Sequence, residues 1–286
     1  MSNRDTTTKG VAVITGAASG IGCEISRKMV ELGYLVHGID IREIKTPSVI
    51  GHFCDVSNPD NVMKTVGDIV GEKALHLCEY YEGEWEPSNM REREWVLSHY
   101  PPVIDVLINA AGVFKKGNIF FNYWGTNSQW EKVMRVNLNG TYYMSKYIFP
   151  WIKPGGCVIN FSSEQVRKPN AFSSPYAVSK AAVEMLTRIM AIRGAYDDLR
   201  IRVNTIALGT VRTDFIKNSG LVKTDEELKK KTEIIAEDMP LGIIETEDVW
   251  NMVKYLLFEG IKITGQTILM DSGVTCNDWR FVHNED

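Results

Sequence analysis

The 286-residue sequence has no apolar run approaching the ~20 residues that a membrane-crossing helix requires, so no spanning anchor is expected. It also lacks paired cysteines. Cys23, Cys54, Cys78, Cys157 and Cys276 are odd in number, scattered and without a CxxC pair. Neither a disulfide framework nor a cysteine-based metal site is expected, and the thiols read as reduced. The five histidines are equally dispersed, so no metal is expected. Blocks of basic charge are scarce: Lys229-Lys230-Lys231 is the one run, set among Asp225, Glu226, Glu227 and Glu233 as on a solvated helix face. With a net charge of -4, the chain carries no footprint for nucleic acid or an anionic membrane. The start, MSNRDTTTKG, is polar and runs directly into a strand-like segment, which leaves no hydrophobic leader. A cytoplasmic location follows as the expectation.

What the chain does have is an alternating rhythm. Short β-branched runs at 11–15, 34–40, 49–56, 103–112, 156–163, 201–208 and 265–273 read as strands. Helical patterns fall between them, starting with Ile21, Ile25, Met29 and Leu32 near helical spacing and closed by Gly33. Others cover about 59–73, 127–149, 175–194 and 246–258. Such a succession predicts an α/β fold: a doubly wound, mostly parallel sheet of the Rossmann type, in a single domain over 1–286. Two segments depart from the rhythm. Residues 74–101 are too long for a helix-to-strand loop and read as an insert. It joins the sheet edge opposite the strands' carboxyl ends, so it is expected to lie away from the ligand site. Residues 210–240 follow the sixth strand on the ligand-binding edge and read as a substrate lid, with Thr224 and Glu227 as a capping box.

Between the first strand and helix stands TGAASGIG, residues 15–22. Gly16, Gly20 and Gly22 permit a tight turn and close backbone approach, and the following helix N-terminus offers N–H groups to a pyrophosphate. Asp40 ends the second strand 18 residues beyond Gly22, where a carboxylate accepts both ribose hydroxyls of NAD and repels the 2′-phosphate of NADP. Arg42 follows it, which leaves some room for dual use. The site expected from this stretch comprises Gly16, Ser19, Gly20, Ile21, Gly22, Asp40 and Ile41. A second cluster is Tyr176-Ala177-Val178-Ser179-Lys180. Four residues apart on a helix share a face, so the ammonium can reach toward the phenol. A free tyrosine has a pKa of about 10 and is a poor base at neutral pH, so Lys180 and a nicotinamide cation are expected to lower it. Tyr142 and Lys146 have the same spacing. Ser163 ends a strand thirteen residues before Tyr176, whereas Gln129 precedes Tyr142 by that interval.

The glycine spacing and the order of these elements resemble the short-chain dehydrogenase/reductase family, TGxxxGIG with YxxxK, over residues 11–275 apart from the insert. The resemblance implies an NAD-dependent oxidoreductase that interconverts a secondary alcohol and a ketone. It assigns Asn137, Ser163, Tyr176 and Lys180 as catalytic residues, with Asn137 holding a water that relays protons through Lys180. Thirteen residues is the spacing that the resemblance implies between catalytic serine and tyrosine, so Tyr142/Lys146 takes the structural reading. It further implies that Asp55 and Val56 meet the adenine. Asn109, Ala110 and Gly112 resemble an element beside the adenosine ribose, and Gly209, Val211 and Thr213 one that holds the nicotinamide carboxamide. Tyr176 and Lys180 also contact the cofactor. Leu208 stands where the family usually has proline, and Ser272 where the last strand often carries a second glycine. A small-molecule substrate and a homotetramer or homodimer are implied, pairing the helices at 127–149 and 175–194 and the C-terminal strands. Substrate identity stays open. Ser163, Glu164, Gln165 and Tyr176 are the candidate substrate contacts, and the polar pair suits a polyol, sugar or hydroxy-acid. Alternatively Glu164 faces away and pairs with Arg167 or Lys168. Phe120, Phe121, Tyr123 and Trp124, with Phe215 and Ile216, could instead wall an apolar pocket for a steroid or terpenoid. A non-catalytic NAD(H)-binding regulatory protein of the same fold is the alternative function.

Overall fold

A computed structural model describes residues 8–71, 101, 103–115, 126–196, 199–215 and 224–276. The expected insert at 74–101 lies outside them apart from Pro101, as do Phe120, Phe121, Tyr123, Trp124 and Ile216.

Strands β1 (Gly10–Thr15), β2 (Tyr34–Asp40), β3 (Val49–Phe53), β4 (Ile104–Asn109), β5 (Ile152–Ser163), β6 (Arg202–Leu208) and β7 (Thr267–Met270) form one sheet. Their order is β3-β2-β1-β4-β5-β6-β7, and every pairing is parallel. Period-2 alternation sends neighbouring side chains to opposite faces, and each face has its own core. Ala12, Ile14, Ile108, Ile159 and Ile206 pack on helices α1 (Gly20–Glu31) and α7 (Thr246–Phe258) through Ile25, Met29, Val249 and Val253. Val13, Leu107, Val158 and Val203 face α2 (Pro59–Val70), α4 (Gly140–Ile148) and α5 (Ser174–Ala195) through Val62, Val66, Met144 and Met190. Burying each such Val, Leu, Ile or Met side chain stabilises by ~1.5–3 kcal/mol, whereas the exposed Arg27–Glu31 pair on α1 is screened by water and adds little. The two apolar layers therefore set the fold. α3 (Asn127–Met134) and α6 (Asp225–Glu237) complete the described helices.

Several boundaries differ from the sequence reading. The helix expected over 127–149 is interrupted by a π-helical turn, Arg135–Asn139, and ends at Ile148. The third strand stops at Phe53 because Asp55 folds the chain, accepting from Ser57 N at 2.9 Å through Oδ1 and from Asn58 N at 3.0 Å through its carbonyl. The fourth strand ends at Asn109, since Ala111 N donates instead to Thr15 Oγ1 of β1 at 3.0 Å. The fifth begins early, at Ile152, across an irregularity in its register with β4. The seventh is short. Asp271 ends it by accepting from Gly273 N and Thr275 N, and Ser272 takes a left-handed φ of 54°. The strand order reverses between β1 and β4, so a crevice opens beyond their carboxyl ends.

Candidate active site

The crevice is a cleft of about 880 Å³. At its floor the chain leaves β1 and turns at Gly16 (φ 70°) and Gly20 (φ 56°), backbone that glycine adopts without the steric cost met by other residues. A Cβ on Gly22 would stand 2.4 Å from the Gly16 carbonyl oxygen, so α1 starts hard against the strand end. Ser19, at the N-cap of α1, makes no side-chain cap, which leaves the first-turn N–H groups of Gly20, Ile21 and Gly22, residues that line the cleft, without one. Asp40 is buried at the end of β2 and its Oδ2 accepts from Ala18 N at 3.1 Å. Arg42 covers the same carboxylate. Its backbone N and Nε reach Oδ1 at 3.0 and 3.1 Å, and Nη2 reaches Ser19 Oγ at 2.9 Å. Ile21, Ile41, Asp55, Val56, Ala110, Gly112, Gly209, Val211 and Thr213 line the same cleft, so the expected cofactor residues converge with one exception. Asn109 lies behind the wall, where its Nδ2 ties β4 to Ser145 of α4 and to Asn160 of β5 at 3.1 and 2.8 Å.

Ser163, Glu164, Gln165, Tyr176 and Lys180 close one end of the cleft. Ser163 is the last residue of β5, and Tyr176 and Lys180 stand one turn apart at the start of α5. Lys180 Nζ lies 5.6 Å from the Tyr176 ring centroid and donates to the Phe161 carbonyl at 2.9 Å. Burial lowers Lys180 to about 8. Tyr176 is shifted upward, first by burial and then by the negative charge of Glu164, with the nearby Ser163 hydroxyl opposing. The sequence reading had the phenol lowered. That expectation draws on a bound nicotinamide cation as well as Lys180; among the protein's own groups, burial and the charge of Glu164 act in the opposite direction. Phe114 and Phe215 flank the Tyr176 ring at centroid distances of 5.2 and 6.2 Å. Asn137 does not line the cleft. It is fully buried within the π-turn; its Oδ1 accepts from Val113 N at 2.8 Å and its Nδ2 donates to Ser179 Oγ at 3.1 Å. Both Asn137 Oδ1 and Lys180 Nζ come close to Gly112, 3.5 and 3.7 Å from where a Cβ would sit. Tyr142, by contrast, is 45% exposed on α4 and outside the cleft.

Glu164 does not face away. Its Oε2 accepts from Ser163 Oγ at 2.9 Å, and burial raises its pKa. Arg167 pairs instead with Glu184 of α5 at 2.9 Å, and Lys168 Nζ donates to the Val274 carbonyl at 3.1 Å. Glu184 Oε1 also accepts from Ser162 Oγ at 2.8 Å, so one buried carboxylate ties the end of β5 and the turn after it to α5. The sequence reading missed this tie, as it missed the hold of Arg42 on Asp40.

A family model described as enoyl-(acyl carrier protein) reductase matches residues 94–275. Dehydrogenase/reductase SDR family member 4 of Homo sapiens is 29% identical over 284 residues, covering 96% of this chain and 90% of that protein. The chain belongs to the short-chain dehydrogenase/reductase family. Among other members, an NAD-dependent glycerol dehydrogenase of Listeria innocua is 26% identical, covering 94% of each chain. The solved aldohexose dehydrogenase of Thermoplasma acidophilum is 25% identical with a TM-score of 0.75, covering 95% of this chain and 96% of that one. As a short-chain dehydrogenase/reductase, the chain is an oxidoreductase of a family that uses nicotinamide cofactors. The glycine turn, the uncapped helix N-terminus and the volume of the cleft fit such a cofactor. Among the described residues, no helix is long and apolar enough to cross a membrane, and no three His, Cys, Asp or Glu side chains gather as a metal site. Two histidines scattered in sequence do meet, where His37 Nδ1 lies 2.9 Å from His52 Nε2.

Proposed function

We propose that the protein is an NAD-dependent dehydrogenase/reductase that interconverts a secondary alcohol and a ketone, with Tyr176 as the acid/base. The observation that carries this reading is the convergence of Ser163, Tyr176 and Lys180 on the cleft that also holds the glycine turn and Asp40. Bound NAD⁺ would supply the hydride-accepting carbon and a positive charge. The chain's residues then have defined tasks. Ser163 and Tyr176 hold the substrate oxygen; as the alcohol C–H bond breaks, the O–H proton passes to Tyr176 Oη and the C=O double bond forms. Lys180 favours the deprotonated phenol, and at about 8 it is still charged at neutral pH. In the reverse direction Tyr176 is the acid, and its raised pKa keeps the phenol protonated for that role. Asn137 orders the turn beside Gly112, along the route by which a proton would leave through Lys180.

Asp40 supports NAD over NADP, because a buried carboxylate at that position repels a 2′-phosphate. Arg42 has to release Asp40 before both ribose hydroxyls can reach it, since its backbone and guanidinium already occupy Oδ1. The test is nicotinamide absorbance with NAD⁺ and NADP⁺ side by side over secondary alcohols. Turnover with NAD⁺ at least about tenfold better than with NADP⁺ is the expected outcome; turnover with NADP⁺ alone would sink the role of Asp40.

A further inference from the structure

Nothing in the transfer of a hydride requires Glu164, yet it is built into the wall beside Ser163. Its carboxylate accepts from Ser163 Oγ, and its carbonyl accepts from Arg167 N at 2.8 Å and Lys168 N at 2.9 Å, which fixes the short 3-10 turn Glu164–Val166. The neighbouring cations of the sequence are engaged elsewhere, Arg167 by Glu184 and Lys168 by the Val274 carbonyl. A second chamber of about 370 Å³ opens at Glu164, Gln165 and Thr210, residues that it shares with the main cleft. Asn170 and Ser173 add polar groups to its wall, and Phe114 and Phe172 add rings. Asp238 and Lys231 also reach this chamber from α6 and the residue that follows it, and offset one another in charge.

The donor and acceptor inventory decides the ligand class. Gln165 Oε1 accepts from Ser173 Oγ, so its amide hydrogens are the groups left to face a ligand. Beside them stands the Glu164 carboxylate, an acceptor. A hydroxyl both donates and accepts and satisfies such a pair at once. A substrate carboxylate can only accept and is repelled by Glu164. An ammonium can only donate and leaves the Gln165 amide unmatched. A purely apolar alcohol offers no partner to the Gln165 amide hydrogens or to the remaining acceptor positions of the Glu164 carboxylate, a cost on binding.

We propose that Glu164 is a specificity-determining residue that selects a neutral polyhydroxylated substrate, a polyol or an aldose, by accepting a hydrogen bond from the hydroxyl next to the reacting carbon. The inference rests on the dehydrogenase reading above. It narrows the choice among polyol, sugar, hydroxy-acid and apolar ring.

The experiment uses NAD⁺ with wild type and Glu164→Gln, which keeps an acceptor for Ser163 and removes the charge. Substrates are sorbitol, glucose and glycerol, against lactate, 1-amino-2-propanol and cyclohexanol. Wild type is expected to favour a polyol or glucose over lactate by at least about tenfold in kcat/KM. Glu164→Gln is expected to raise KM for that substrate by about 10- to 100-fold and to lower its kcat/KM relative to that of cyclohexanol by at least about tenfold, a ratio from which any shared effect on Ser163 and Tyr176 cancels. The wild-type ranking is a separate measurement that does not depend on the folding of the variant. Preference for lactate, the amino-alcohol or cyclohexanol, or a polyol KM unmoved in Glu164→Gln, overturns the inference alone. Silence with every alcohol overturns the dehydrogenase reading and the inference with it.

Discussion

His37 and His52 are fifteen residues apart in the chain and meet across β2 and β3, ring centroids 5.2 Å apart. Burial, then the charge of His52, depresses His37 to about 4; burial also lowers His52, against the pull of Asp68 on α2. A histidine with a depressed folded pKa binds fewer protons folded than unfolded. Its stabilising contribution is complete above its ordinary 6.5 and is lost as pH falls toward about 4. The loss is on the order of 2 kcal/mol, less than the whole shift implies because the edge strand keeps water near the pair. Thermal melts between pH 7 and 4.5 should show this fall, and His37→Gln should flatten it; an unchanged slope in the variant would remove His37 as the cause. Residue-level partners were the least legible feature of the sequence. Arg167 is three residues from Glu164 but pairs with Glu184, seventeen residues on, because α5 brings that carboxylate under the turn. Local adjacency suggested one pair, and packing made another.

At the scale of elements, α5 is divided between two tasks. One face buries Val183, Thr187 and Met190 against the sheet and presents Lys180 to the cleft. Another leaves Val178, Met185, Ile189 and Ile192 exposed, the last three each more than half accessible. Their spacing follows one stripe of a helix, and an apolar stripe of this kind supports the homodimer or homotetramer inferred from family resemblance. Size exclusion with light scattering should give a dimer or tetramer, and Ile189→Arg should weaken association by about 30-fold or more. A wild-type monomer would contradict the assembly. The existence and order of elements were plain in the sequence, since alternating β-branched runs and helical stripes leave little choice of fold. Their ends were not. The π-turn at Arg135–Asn139 adds bulk to one turn without breaking the apolar pattern, so a single helix was expected there. The ends of β3 and β7 are set by Asp55 and Asp271, whose side chains capture backbone N–H groups that would otherwise continue the ladder.

For the whole molecule, a single parallel sheet places the glycine turn of β1, the carboxylate of β2 and the catalytic candidates of β5 and α5 around one crevice. Motif spacing made this convergence readable in the sequence, because each motif sits at the carboxyl end of a strand or the start of a helix. The charge environment was not readable. Burial of Tyr176 and the inward turn of Glu164 depend on packing, and both push the phenol's pKa upward. The account therefore stands on Tyr176 acting as acid/base once cofactor and substrate are in place. The most direct test is NADH formation by wild type and by Tyr176→Phe with the same alcohol, alongside NADH binding to each by fluorescence. The account predicts a rate lower by about 10²- to 10⁴-fold in the variant with NADH binding retained. Equal rates in the two proteins would contradict it.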